Sequence, residues 1–250
     1  MDAALVGTLA VAILLIAALY SAVGHGGASG YLAAMALFGL APEVMKPTAL
    51  ALNVLVSGLA LWRFSRAEGF AWRTFALFAA TSVPMAFVGG RVLPPERLYL
   101  ALISVALIVA ALRLLLRAPA ADAQGAARRV PAGPGLAWGG GIGFLSGLTG
   151  VGGGIFLHPL LQITGWVSPR RAAAVVAAFV LVNSLAGLAG YWSSLRTIPV
   201  AIAVWAPAAL AGGLVGTGLG ARRFGTAALQ RTLAVVLLLA ATRLGIGAAT

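Results

Sequence analysis

The chain has 250 residues, 61% of them hydrophobic and only 9% charged, with a mean hydropathy of +1.03. A water-facing surface needs about a quarter of its residues charged, so a soluble protein is excluded and most enzymes with it; continuous apolar runs likewise exclude a barrel of alternating strands. The 17 Lys and Arg against 5 Asp and Glu give a formal +12, but they stand singly or in pairs between apolar runs, as loop charges do, which argues against a nucleic-acid partner.

Ten apolar segments are predicted in chain order, at 3–23, 28–40, 44–62, 72–91, 97–117, 135–149, 153–164, 172–192, 197–219 and 227–246. The long ones suffice to cross a hydrocarbon core of roughly 30 Å, so the expected fold is an all-α polytopic membrane protein in a lipid bilayer. The first follows Met1-Asp2-Ala3 with no basic residue before it, and is read as a retained span rather than a cleaved signal. The second and seventh reach at most about 20 Å at 1.5 Å per residue, too short to cross. Segment 118–134, with Pro119, Asp122, Gln124, Arg128, Arg129, Pro131 and Pro134, is the one polar linker and separates two units, 1–117 and 135–250. There is no cysteine, so disulfides and thiolate metal sites are excluded, and the sequence points to no metal, cofactor or oligomeric state.

The two units read as copies. Val23-Gly24-His25-Gly26-Gly27 recurs as Thr149-Gly150-Val151-Gly152-Gly153, and Asn53 with Trp62 as Asn183 with Trp192. Pro84 before Gly89-Gly90 recurs as Pro207 before Gly212-Gly213, and Ala110-Ala111-Leu112-Arg113-Leu114 as Ala240-Ala241-Thr242-Arg243-Leu244. Their relative sense follows from the excess of Lys and Arg on cytoplasmic loops. Inverted copies place 12 basic residues on the linker side and 5 on the other, whereas parallel copies give 9 against 8. Inverted repeats with a cytoplasmic linker and both termini outside are therefore expected, each with one broken or re-entrant short helix.

Interrupted short segments at matching positions point to a transporter's substrate site. A helix start offers unpaired N–H groups and about half a positive charge, and glycine lets backbone approach an oxyanion. The expected ligand is a small anion held at two opposed helix starts by Gly24, His25, Gly26, Gly27 and Ser29 of one copy and Gly150, Gly152 and Gly153 of the other, with Ser21, Ser146 and Thr149 as further donors. The alternative for these glycines is close helix packing. Asn53 and Asn183 lie nine residues, about 13 Å, from tryptophans that favour the headgroup boundary, which puts both near the midplane, either as substrate contacts or as interhelical glue. His25 is read either as an anion contact that titrates near neutral pH or as a packed neutral histidine, and His158 as structural. Glu43, Lys46, Arg170 and Arg171 are read as boundary charges or an electrostatic entrance.

Val23-Gly24-His25-Gly26-Gly27-Ala28-Ser29-Gly30, Gly150-Val151-Gly152-Gly153-Gly154-Ile155-Phe156-Leu157-His158-Pro159-Leu160, Asn53 and Asn183 together resemble the TauE/SafE, or sulfite exporter, family of anion transporters. The resemblance covers essentially the whole chain and implies movement of sulfite, thiosulfate, sulfoacetate or related organic anions across the bacterial inner membrane. An anion channel could use the same helix starts without alternating access. Gly27-Ala28-Ser29-Gly30 also matches the serine motif of rhomboid intramembrane proteases, which would need a histidine beside Ser29.

Overall fold

A computed structural model describes residues 2–22, 26–115, 129–193, 200–220 and 227–249. All ten expected segments are helices, and the described residues contain no strand. They are α1 (Ala3–Ser21), α2 (Ala28–Leu37), α3 (Pro42–Glu68), α4 (Trp72–Arg91), α5 (Glu96–Leu115), α6 (Ala132–Thr149), α7 (Gly154–Thr164), α8 (Pro169–Trp192), α9 (Ile202–Gly220) and α10 (Ala227–Ala249). Among the described residues three stretches, within α1, α3 and α8, are by length and composition apolar enough to cross a membrane. The short pair, α2 and α7, has 10 and 11 residues. Local chemistry sets the ends: α3 and α8 open on Pro42 and Pro169, whose fixed φ suits a first turn, and α6 stops where Gly150 turns left-handed at φ 82°.

Helices of the two halves interleave on glycine. Gly139, Gly143 and Gly147 form a ridge at every fourth residue of α6, and a Cβ at any of them would strike the backbone of Phe78, Ser82 or Ala86 on α4 in turn. The duplicated glycine pairs do corresponding work. Gly89 of α4 abuts the Phe144 carbonyl of α6 and Gly90 abuts Gly187 of α8. Gly212 of α9 abuts the Leu14 carbonyl of α1, and Gly213 faces Val56 and Leu59 of α3. Without a hydrophobic drive between helices in lipid, such backbone approach is what supplies association energy.

The same contacts give running directions. Trp205 Nε1 donates to the Val6 carbonyl at 3.1 Å and Gly216 meets Ala18, so α1 and α9 run together, as do α4 and α6 along the glycine ridge. Arg63 Nη1 donates to Thr217 Oγ1 at 2.7 Å beyond the Val56 contact with Gly213, which aligns α3 with α9. Tyr191 Oη donates to the Glu43 carbonyl at 3.0 Å and Leu50 meets Gly187, so α3 opposes α8. Hence α1, α3 and α9 run one way and α8 the other. The start of α3 lies against the end of α4, where Lys46 Nζ donates to the carbonyls of Gly89, Gly90 and Val92 at 3.1–3.3 Å. This sets α4, and α6 with it, in the same sense as α8.

Candidate functional site

The two short helices begin inside the bundle, and both begin on glycine. Gly27 and Gly153 are the N-caps of α2 and α7, at φ 100° and 80°, and neither start has a side-chain cap. A side chain at either position would be strained, and a Cβ at Gly27 would also overlap the Tyr31 ring. Ala28, Ser29, Gly30, Gly154 and Ile155 are all buried. Helix starts carry N–H groups without intrahelical partners, and an uncapped start in a buried position is an arrangement that ligands commonly complete.

Asn53, at the middle of α3, brings the two breaks together. A Cβ at Gly26 would strike its Oδ1, and a Cβ at Gly152 would strike its Nδ2. Val180 Cγ1 of α8 stands 3.0 and 3.1 Å from the same two Cβ positions. Asn53 is 0% exposed, and neither of its amide atoms has a hydrogen-bond partner among the described residues. Asn183 is equally buried; its Nδ2 donates to the Phe179 carbonyl one turn back at 2.8 Å, while Oδ1 has no partner. Trp62 and Trp192 are 51% and 65% exposed, so each long helix carries a buried amide and an outward indole at the separation its sequence implies. Ser184 Oγ, also buried without a partner, stands 3.3 Å from where a Cβ of Gly152 would be.

The other expected donors fall into two sets. Ser21 Oγ and Ser146 Oγ are buried without partners. Ser29 Oγ donates to Tyr20 Oη at 2.8 Å, a tyrosine rather than the histidine a serine nucleophile needs. Thr149 Oγ1 donates to the Leu145 carbonyl at 2.7 Å and accepts from Val151 N at 3.4 Å, and Gly150 lies against the backbone of Lys46. Tyr31 Oη donates to the Gly26 carbonyl at 2.9 Å and so pins the first break. Gly24 and His25 lie outside the described residues. His158 is buried on α7. Lys46, expected at a boundary, is instead buried at the end of α4, with its ammonium 5.9 Å from the Tyr191 ring centre.

Between the two starts is a void of about 10 Å³ bordered by Tyr20, Gly26, Gly27, Ser29, Val151, Gly154 and Val180. It is about large enough for one water, and no charged side chain among the described residues borders it. The polar groups bordering it are therefore backbone dipoles and the hydroxyls of Tyr20 and Ser29. Sequence reasoning anticipated the breaks and the burial of both asparagines but missed Ser184 and Tyr31, because one serine or tyrosine in an apolar run carries no spacing signal.

The model of the family described as sulfite exporter TauE/SafE matches residues 9–244. The chain is 38% identical over 246 residues to "Probable membrane transporter protein y4hK" of Sinorhizobium fredii (strain NBRC 101917 / NGR234), covering 98% of this chain and 99% of that protein. No solved structure matches.

Proposed function

The chain belongs to the sulfite exporter TauE/SafE family of membrane transporters, and from that premise we propose that it exports a small sulfur-containing or organic anion, such as sulfite, thiosulfate or sulfoacetate, across the inner membrane. Membership makes it a multi-pass transporter rather than an enzyme. The observation that carries the anion site is the meeting of two uncapped, buried helix starts at the unpartnered amide of Asn53. Backbone N–H groups of α2 and α7, with Asn53 Nδ2 and the Ser184 hydroxyl, supply donors from several directions. Two half-charges from the helix dipoles offset part of the anion's desolvation without a fixed cation, so the ligand can leave again.

The void is far smaller than an oxyanion, so binding requires α2 and α7 to part; this favours an occluded carrier over a standing channel. The opposite running directions of α1 and α6, α3 and α8, and α4 and α9 support inverted repeats, the architecture in which one site is exposed alternately to either face. With the cell interior negative, each exported negative charge gains about 2.3 kcal/mol per 100 mV, so export of an anion needs no proton.

The test is ligand-induced thermal stabilisation of the purified protein by sulfite, thiosulfate, sulfoacetate, taurine and sulfate. Stabilisation by the anionic sulfur compounds, lost in Asn53→Ala and Asn183→Ala proteins that still unfold cooperatively, is expected. Stabilisation that survives both substitutions would remove the site, and none with any compound at millimolar concentration would remove the substrate class.

A further inference from the structure

A second feature lies at the face where the linker joins α6. The starts of α4, α6 and α8 converge around a cavity of about 590 Å³, lined by Arg73, Arg129 and Arg171 together with Thr74, Ser168 and Trp166. Helix starts favour acidic residues, yet none of these three helices has one in its first turn. Arg73 and Arg171 instead stand in the first turns of α4 and α8, where the dipole repels them. Among the described residues no ion pair relieves the three guanidiniums, and Arg171 Nε stands 3.9 Å from where a Cβ of Gly69, at the end of α3, would be. Of the three corresponding starts at the other face, two carry an acid, Asp2 capping α1 and Glu43 in the first turn of α3, and α9 carries none. Positive charge is thus gathered at one face around an open space, on helix starts whose dipoles disfavour it.

The inner wall of this cavity leads towards the glycine breaks through three aromatic rings. Trp166 lines it and lies 6.1 Å from Phe78, ring centre to ring centre, and Phe78 lies 6.5 Å from Phe179. Both phenylalanines are fully buried. Phe179 Cε1 sits 2.9 Å from where a Cβ of Gly153 would stand, at the start of α7.

We propose that the cavity between α4, α6 and α8 is a second anion site, taking an oxyanion group such as a sulfonate or phosphate on Arg73, Arg129 and Arg171. Guanidinium forks match the oxygens of such groups in pairs, and the three helix starts add their dipoles. If the anion held at the glycine breaks is the transported one, as proposed above, this cavity is its antechamber and the rings of Phe78 and Phe179 are the closed door between the two sites. An anionic lipid headgroup offers the same oxygens as a free anion.

The chain has no cysteine, so a single Ala76→Cys in the cavity wall is a clean reporter. The rate of its reaction with a sulfonate-bearing methanethiosulfonate is compared with that of the trimethylammonium analogue, with Ala3→Cys at the opposite face as control. At Ala76→Cys a preference for the anionic reagent about tenfold above the control is expected, abolished by combined Arg73→Gln, Arg129→Gln and Arg171→Gln. Protection by sulfoacetate or inorganic phosphate in neutral detergent would identify a free anion as the occupant. Protection by phosphatidylglycerol in nanodiscs, and by neither soluble anion, would identify a headgroup. No excess preference, a preference that survives loss of the arginines, or one that nothing protects overturns the site. The preference should persist in Asn53→Ala, which separates failure here from failure of the glycine-break site.

Discussion

Asn53 is held by shape rather than by hydrogen bonds, and this separates its effects on stability and function. Truncation to alanine removes two polar atoms that have no partner among the described residues, so no hydrogen bond to these is lost and the cost of the small cavity is offset by no longer burying an unsatisfied amide. Asn53→Ala is expected to change stability by less than about 1 kcal/mol while lowering anion flux at least tenfold, measured as thermal unfolding and as uptake into everted vesicles. Full transport by a normally folded Asn53→Ala protein would dismiss the amide as a ligand. Gly152→Ala should behave differently. At φ 78° an alanine pays roughly 1–2 kcal/mol for the left-handed backbone, and its Cβ drives into Asn53 Nδ2. Stability and binding should then fall together, and a protein with wild-type melting temperature and ligand shift would show that the break relaxes freely.

Among the elements, α2 and α7 are legible in the sequence because glycine clusters interrupt apolar runs that are otherwise long enough to span. The end of α4 is not. Lys46 stands early in an apolar helix and reads as a boundary charge, but its ammonium caps three carbonyls that terminate a helix more than forty residues on. Helix ends carry partial negative charge and unpaired carbonyls, so the lysine satisfies α4 and ties it to α3 beside Gly150. Nothing local in sequence marks those carbonyls except the pair Gly89-Gly90. The α6 ridge of Gly139, Gly143 and Gly147 was likewise legible only as composition, since its partner α4 is chosen by tertiary packing. Lys46→Met, similar in length but unable to donate, is expected to destabilise the protein by about 2–3 kcal/mol, the usual scale for charged hydrogen bonds. Thermal unfolding in detergent measures this, and an unchanged melting temperature would mean that water satisfies the end of α4.

For the whole molecule, the running directions bear on how the chain sits in the bilayer. The start of α1 lies at the face opposite the start of α6. Ser104 Oγ donates to the Ala241 carbonyl at 2.8 Å while Leu100 faces Gly247, so α10 opposes α5 and ends beside the start of α5. Burial of Lys46 sharpens the charge argument, because its ammonium is spent on helix carbonyls and no longer counts as a loop charge. If the repeats are inverted, the sequence leaves 12 basic residues on the linker side against 4 on the other, and we propose from the positive-inside bias that the linker face is cytoplasmic. In that orientation, and with export as proposed above, the arginine cavity would stand on the side from which the anion enters. In spheroplasts, Ala3→Cys and Ala248→Cys should react with a membrane-impermeant maleimide, whereas Ala132→Cys at the start of α6 should react only after permeabilisation. The reverse pattern would turn the molecule over and make the cavity an entrance for uptake. Labelling of Ala3→Cys and Ala132→Cys from the same side would mean an even number of crossings in the first half, and would remove the inverted repeat together with the alternating access built on it.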